Sequence, residues 1–310
     1  MKFFVSLFLV AFALEAAPVT ALRFSPDGNH LLISRPRVIE VRALQADAKP
    51  RKIPCAFDKV MAFAFSADGK TLAVAGGTPG EIGGVHLLAW PSGQMRGKWD
   101  VFEDVATCVA FGSSGKLAAG SADHSVVIFD LRREGRVVMR FEGHTKATRG
   151  LAFAPDGKSL VSVSADRTVK LWDAVTSKLE HSFGNHPRPV HAVAFRPGAR
   201  PAFCVTASDD NTVRVWQPSI GRMVRIVRGH SGPVFAVAFS AEGRRIFSVG
   251  KEGVGRIIDA DSDKVLHEWK AHDDWVYALA VGAGGKLATG DWGGEVRVWR
   301  MKGDRIFRMD

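Results

Sequence analysis

One short pattern recurs seven times along this chain and restricts its fold more than any other feature. An apolar strand ends in Phe, or once in Val, and runs into a turn rich in Gly. It reads ALRFSPDG, AFAFSADG, CVAFGSSG, LAFAPDG, AVAFRPG, AVAFSAEG and ALAVGAGG. The marker residues are Phe24, Phe65, Phe111, Phe153, Phe195, Phe239 and Val281, at spacings of 41, 46, 42, 42, 44 and 42 residues. The long spacing has a local origin: repeat two carries the extra segment TPGEIGG, which reads as a loop between its second and third strands.

Every repeat has the same internal order. The first strand is apolar on both faces, as in Val193-Ala194-Phe195, which suits a strand sandwiched between neighbouring units. Asp-Gly then supplies a tight turn where positive φ is needed. A second strand (Leu160–Ser164, LVSVS), a polar turn and a third strand (Thr168–Asp173, TVKLWD) follow. The fourth alternates charged with apolar residues, as in RVVMRF, KLEHSF, RMVRIVR and KVLHEW, the pattern of a solvent-facing edge. Seven such units predict an all-β chain, a seven-bladed β-propeller with four antiparallel strands per blade closed around a channel. A sandwich of the same strands would not require the seven-fold period.

Composition agrees with one large core. Apolar residues make up 46% and charged residues 24% of 310 residues. The net charge of +10 admits an acidic partner. No run of five basic residues occurs, however, and the cluster Arg132, Arg133, Arg136 is interrupted by Glu134, so the charge reads as a solvated surface. Cys55, Cys108 and Cys204 are far apart and without C-x-x-C spacing, which points to free thiols rather than a zinc or haem site.

Residues 3–14 read FFVSLFLVAFAL behind Lys2, a positive charge, a short apolar run and then small residues. This predicts an export signal over residues 1–16, cleaved near 13–16, ahead of a propeller over 17–310. The competing reading makes this stretch a strand that closes the ring. The repeat register argues against it. Six residues after Trp299 stands Arg305 (RIFRMD), just as Lys178 (KLEHSF) stands six after Trp172, so the C-terminus already supplies the last outer strand. The expected location is periplasmic or extracellular, or cytoplasmic if the signal reading fails.

The fourth repeat, GHTKATRGLAFAPDGKSLVSVSADRTVKLWD, resembles the WD-repeat family in its bacterial style, and the resemblance covers residues 18–309. It implies a structural tetrad of His, Ser or Thr, Asp and Trp in each blade. In repeat four these match His144, Ser162, Asp166 and Trp172; in repeat five they match His186, Thr206, Asp210 and Trp216. Such a set satisfies buried polar groups with one another. It also looks like a catalytic triad, but it recurs inside separate blades rather than in a shared pocket. The other repeats depart from it. Repeat three keeps Asp123 but has Ala119, Phe129 and no His. Repeat six has His230 and Ser248 with Glu252 and Ile258. Repeat seven has His272, Thr289 and Trp299, with Gly293 in place of the Asp.

Signs of chemistry are few. There is no G-x-S-x-G, P-loop or H-E-x-x-H motif. Gly76-Gly77 and Gly83-Gly84 read as turn residues rather than a phosphate cradle, and His272-Asp273-Asp274 as a loop rather than a metal site. The expectation is therefore a chain without catalytic residues, metal or cofactor.

The resemblance also implies which end of the ring binds. Residues at the start of the first strands would face a top surface around the channel: Thr20, Met61, Thr107, Arg149, His191, Phe235 and Tyr277. Two residues earlier stand Pro18, Lys59, Val105, Ala147, Pro189, Pro233 and Trp275. The residue before the turn carboxylate gives Ala122, Ala165, Asp209, Lys251 and Trp292. Blades six and seven thus bring Phe235, Trp275, Tyr277 and Trp292 to one end, with Arg149, His191 and Asp209 beside them. Large aromatics near an Arg are the usual material of interface hot spots. The leading expectation is a non-enzymatic scaffold that binds a protein or peptide there, with no membrane span in the mature chain. The alternatives are a propeller enzyme with a small-molecule site at the channel mouth and polyanion binding through the basic surface; nucleic acid is disfavoured.

Overall fold

A computed structural model describes residues 17–45, 49–113 and 115–309. It shows seven four-stranded antiparallel sheets, each built from consecutive strands, arranged as a propeller. Residues 22–54 form blade one, 59–102 blade two, 106–141 blade three, 148–183 blade four, 190–227 blade five, 234–270 blade six and 276–308 blade seven. Among the described residues the only helical pieces are three-residue 3-10 turns.

The strand chemistry explains the layering. The second strands are the driest, as in Ser159–Ser164, where five of six residues are buried. The outer strands show charged residues to water, as in Arg136–Phe141, where only Phe141 is buried. Packing runs between blades. Val205, Ala207, Val213 and Val215 of blade five meet Val234, Val237, Phe239 and Ile246 of blade six in one cluster. Burial of this kind contributes about 25 cal/mol per Å² of apolar surface, so each blade is held mainly by its neighbours. The Asp156-Gly157 turn shows why the hairpins need glycine, with Gly157 at a φ of 67°.

The ring closes between blades one and seven. Val19, Leu22, Phe24, Leu31 and Ile33 pack on Ala278, Ala280, Ala288, Val296 and Val298. The Val19 amide donates to the Asp291 carbonyl at 3.0 Å, and Lys286 Nζ donates to the Gly28 carbonyl at 2.9 Å. All four strands of blade seven come from the C-terminal segment, the outermost being Arg305–Arg308, as the repeat register predicts. The export signal and the strand reading that competes with it both fall on residues 1–16, outside the described residues.

Blade two corrects one expectation. The segment TPGEIGG is not an inserted loop: the second and third strands lengthen to Thr71–Thr78 and Ile82–Ala89. Gly76, Gly77, Gly83 and Gly84 are not turn residues either, since Gly76 pairs with Gly84 and Gly77 with Gly83 across the hairpin. Neighbouring backbone comes too close for side chains here. A Cβ on Gly76 would lie 2.3 Å from the Lys59 carbonyl oxygen, and one on Gly83 would lie 2.0 Å from that of Asp104.

Candidate functional site

Two sets of polar residues invite a functional reading, and their surroundings separate them. The first is the tetrads. In blade four His144 Nδ1 lies 2.8 Å from Asp166 Oδ2, and Nε2 lies 2.7 Å from Ser162 Oγ. Trp172 Nε1–H donates to the same hydroxyl at 2.8 Å. Blade five repeats the arrangement, with His186 at 2.7 Å from Asp210 and 2.8 Å from Thr206, and Trp216 donating to Thr206 at 2.9 Å. Burial works against the charge of Asp210, but its bonds to His186 and Thr212 outweigh this and bring its pKa down to about 2. The bonds of Asp166 to His144 and Thr168 likewise hold it below the usual carboxylate range against the same burial. Both imidazoles are sealed within their blades.

Blades six and seven keep more of the tetrad than their sequences suggest. In blade six Glu252 takes the place of Asp, 2.6 Å from His230 Nδ1, and is bridged by Arg256. Ile258 leaves the Ser248 hydroxyl without an indole donor, but the bond from His230 to Ser248 persists at 2.8 Å. In blade seven the carboxylate is not lost at Gly293. The nearest carboxylate is that of Asp291, two residues earlier, whose Oδ2 lies 2.9 Å from His272 Nδ1, within ion-pair reach but out of line for a hydrogen bond. His272 and Trp299 share the Thr289 hydroxyl at 2.8 Å each. The His272-Asp273-Asp274 run does not converge: His272 is fully buried while the Asp273 side chain is 90% exposed. Glu295 does approach His272 and Asp291, but Arg297 occupies both its oxygens at 2.6 and 2.8 Å.

The second set lies at the channel mouth. A cavity of about 660 Å³ is lined by all seven first-strand positions, Thr20, Met61, Thr107, Arg149, His191, Phe235 and Tyr277. Local backbone geometry puts them there. In blades two to seven the ladder between first and second strand slips at this residue, so that Val60 and Ala62, or Val276 and Ala278, are paired while the residue between is skipped. A bulge of this kind turns a side chain out of the sheet's alternation, and its recurrence aims a ring of side chains at the channel mouth.

The aromatic residues of blades six and seven form a continuous group. Phe235 and Tyr277 stack, and Tyr277 is 5.5 Å from Trp292 and 6.3 Å from Trp275, centroid to centroid. Trp275 is 39% and Trp292 is 52% exposed, whereas Phe235 and Tyr277 are half-buried beneath them. Lys251 Nζ sits 4.6 Å over the Trp275 ring, a cation–π contact. On the other wall Arg149 Nη1 donates to His191 Nδ1 at 2.9 Å, and His191 Nε2 lies 2.6 Å from Asp209 Oδ1. His191 meets Phe235 edge-on at 5.1 Å, joining the polar wall to the aromatic one. Burial opposes the Asp209 charge, but the bond to His191 and the charges of Arg149 and Arg188 prevail and keep it ionised. Burial, helped by Asp209 and Asp274, pushes the Tyr277 phenol up. The seven residues singled out for a binding patch, Arg149, His191, Asp209, Phe235, Trp275, Tyr277 and Trp292, lie together here, whereas the aligned Pro18, Lys59, Val105 and Pro189 do not line the cavity. Lys251 and Arg188 were not in that selection. Lys251 occupies an aligned turn position, but its reach over a ring one blade away leaves no mark in the sequence.

Comparisons with known proteins place this geometry in a family. The WD domain, G-beta repeat, matches residues 98–130, 135–173, 177–217, 221–259 and 263–300. An uncharacterized WD repeat-containing protein of Synechocystis sp. is 36% identical over 92 residues, 29% of this chain and 26% of that protein. The U3 small nucleolar RNA-associated protein 15 homolog of Xenopus tropicalis is 37% identical over 105 residues, 32% of this chain and 20% of that protein. Nuclear distribution protein nudF of Aspergillus terreus is 42% identical over 65 residues, 21% of this chain and 14% of that protein. The chain therefore spans at most 26% of the length of these relatives.

Proposed function

The chain belongs to the WD domain, G-beta repeat family, and from that premise we propose that it is a scaffold, without chemistry of its own, that binds a protein or peptide at the channel mouth. One observation carries this reading. Trp275 and Trp292 are exposed at a cavity mouth on top of a packed Phe235–Tyr277 pair. Rigid rings lose little entropy on binding and bury much area. The charges beside them suit a ligand with both an apolar and a polar part: Lys251, Arg149 and Arg188 can take a carboxylate, and Asp209 a donor.

The test is selection of peptides from a displayed library by the intact chain, followed by titration of the winners against a Trp275→Ala, Trp292→Ala double variant. Truncation of a hot-spot ring costs about 2 kcal/mol, so affinity should fall at least about thirty-fold with the melting temperature little changed. Peptides that bind both forms equally would sink the proposal. A polyanion partner would instead show a steep dependence on salt. Export belongs to the same reading, supported by the Lys2-led apolar run. Mass spectrometry of the protein from its source should find a mature start between Leu14 and Pro18, and an intact Met1 on soluble cytoplasmic protein would contradict it.

A further inference from the structure

One residue breaks the seven-fold order of the innermost strands. The position just before each marker residue is Ala64, Ala110, Ala152, Ala194, Ala238 and Ala280 in blades two to seven, but Arg23 in blade one. The ladder confirms the equivalence: Arg23 pairs with Leu32, as Ala64 does with Ala73 and Ala280 with Ala288. The innermost strand has one edge on its own sheet and the other on the channel. Its flanking Leu22 and Phe24 are buried against blade seven, while Arg23 is exposed, so water reaches Arg23 from the channel. Thr20, two residues ahead of that strand, is at the mouth, which puts Arg23 about 10 Å further in at the usual rise of an extended chain. Of the six alanines, the two that are buried, Ala64 and Ala280, belong to the blades flanking Arg23; the other four are half-buried.

The guanidinium has no hydrogen-bond or ion-pair partner among the described residues. Protein crowds around it closely enough that burial lowers its pKa, and no charge offsets that. It nonetheless remains a cation, since Arg does not deprotonate in proteins. A guanidinium that water reaches, with no counter-charge beside it, has its donors free for an anion, and nothing in the strand's own packing calls for it, since six blades use Ala. We infer that the channel carries a second binding site, in which the Arg23 guanidinium holds a small oxyanion, a carboxylate or a phosphate, through two parallel N–H···O bonds. Planar guanidinium matches the two oxygens of such an anion, and a chain of net charge +10 draws anions toward it.

The experiment is a melting series on the whole chain at constant pH and ionic strength, with chloride replaced stepwise by acetate or by inorganic phosphate. Wild type, Arg23→Ala and Arg23→Lys are compared. General salt stabilisation acts on all three alike, so the readout is the saturable part of the shift. It should be present in wild type, absent in Arg23→Ala and reduced in Arg23→Lys, which keeps the charge but not the two-point geometry. In chloride alone Arg23→Ala should melt at or above wild type, because it restores the residue of the other six blades. A saturable shift that survives in Arg23→Ala, no saturable shift in wild type, or an Arg23→Ala variant that melts far below wild type in chloride would each overturn the site. Should Arg23→Ala not fold, Arg23→Gln and calorimetric titration of wild type with acetate decide the question by the same criteria.

Discussion

Phe235 and Tyr277 come from the first strands of two different blades, yet their rings stack with centroids 4.4 Å apart and planes 6° from parallel. Equivalent bulges aim both side chains at the channel mouth, where adjacent blades come together. The pair forms the floor on which the exposed Trp275 rests, with Phe235 at 6.3 Å from it.

Removing that floor should loosen the group without unfolding the ring. Phe235→Ala is expected to cost about 1–2 kcal/mol, from one lost aromatic pair and partial loss of ring burial. Acrylamide should then quench tryptophan fluorescence more strongly than in wild type. Unchanged quenching would mean that Trp275 is held by Lys251 and its own strand instead.

The tetrads should behave as structure. Asp166→Ala leaves a buried His144 without its carboxylate and is expected to cost about 2 kcal/mol, the penalty for an unsatisfied buried group. Urea denaturation measures it. Affinity for a selected peptide, measured well below the melting transition, should not change; a variant that melts normally but loses binding would assign the tetrad a different role.

Blade seven allows a sharper test. Because the Asp291 carboxylate already lies 2.9 Å from His272 Nδ1, Gly293→Asp should not stabilise the chain, although it restores the family pattern. The new Cβ would stand 3.6 Å from Asp291 Oδ1 and 3.8 Å from Asp274 Oδ2. Repulsion among three carboxylates predicts a loss of about 1 kcal/mol, whereas a gain in melting temperature would show that Asp291 does not fill the role.

Acid should weaken the fold in two stages. Burial holds His186, His230 and His272 below the ordinary imidazole value. They stay neutral in the fold while the unfolded chain takes up protons, so stability is full above about pH 6.5 and falls as pH drops below it. A second loss begins below about pH 4, where unfolded carboxylates protonate, and continues for Asp210 to about 2. Denaturant midpoints from pH 8 to pH 3 would show both stages, and Asp210→Asn should weaken the second. A midpoint that is flat between pH 8 and pH 5 contradicts the first.

Gly76 tests the reading of blade two. Gly76→Ala places a methyl group on the Lys59 carbonyl and against the Phe57 ring at 2.8 Å. Backbone yields less readily than a side-chain tip, so a cost of about 2–3 kcal/mol is expected. Gly80→Ala, with nothing within 4 Å and only its φ of 71° to strain, should cost less; equal costs would remove the close-approach explanation.

The sequence alone determined the number of blades, the strand order within each, the outer strand of blade seven and the ring of seven mouth positions. The first three follow from periodicity, and the mouth positions from the family resemblance applied to aligned residues. A side chain repeated at a fixed offset in seven copies of one unit occupies seven equivalent places, so alignment stands in for coordinates. The tertiary structure decided whatever depends on one blade differing from the rest. Asp291 takes over from Gly293 because a His ring accepts a carboxylate from any residue that reaches it, and sequence position records offset rather than reach. The blade-two glycines sit in paired strands, where the Lys59 and Asp104 carbonyls of neighbouring segments leave no room for a side chain. Lys251 joined the aromatic group because its flexible stem spans to the next blade. The exposure of Trp275 and Trp292, and the solitude of Arg23 in the channel, likewise depend on closure of the ring, because only packing decides which polar and aromatic groups acquire partners and which are left facing water.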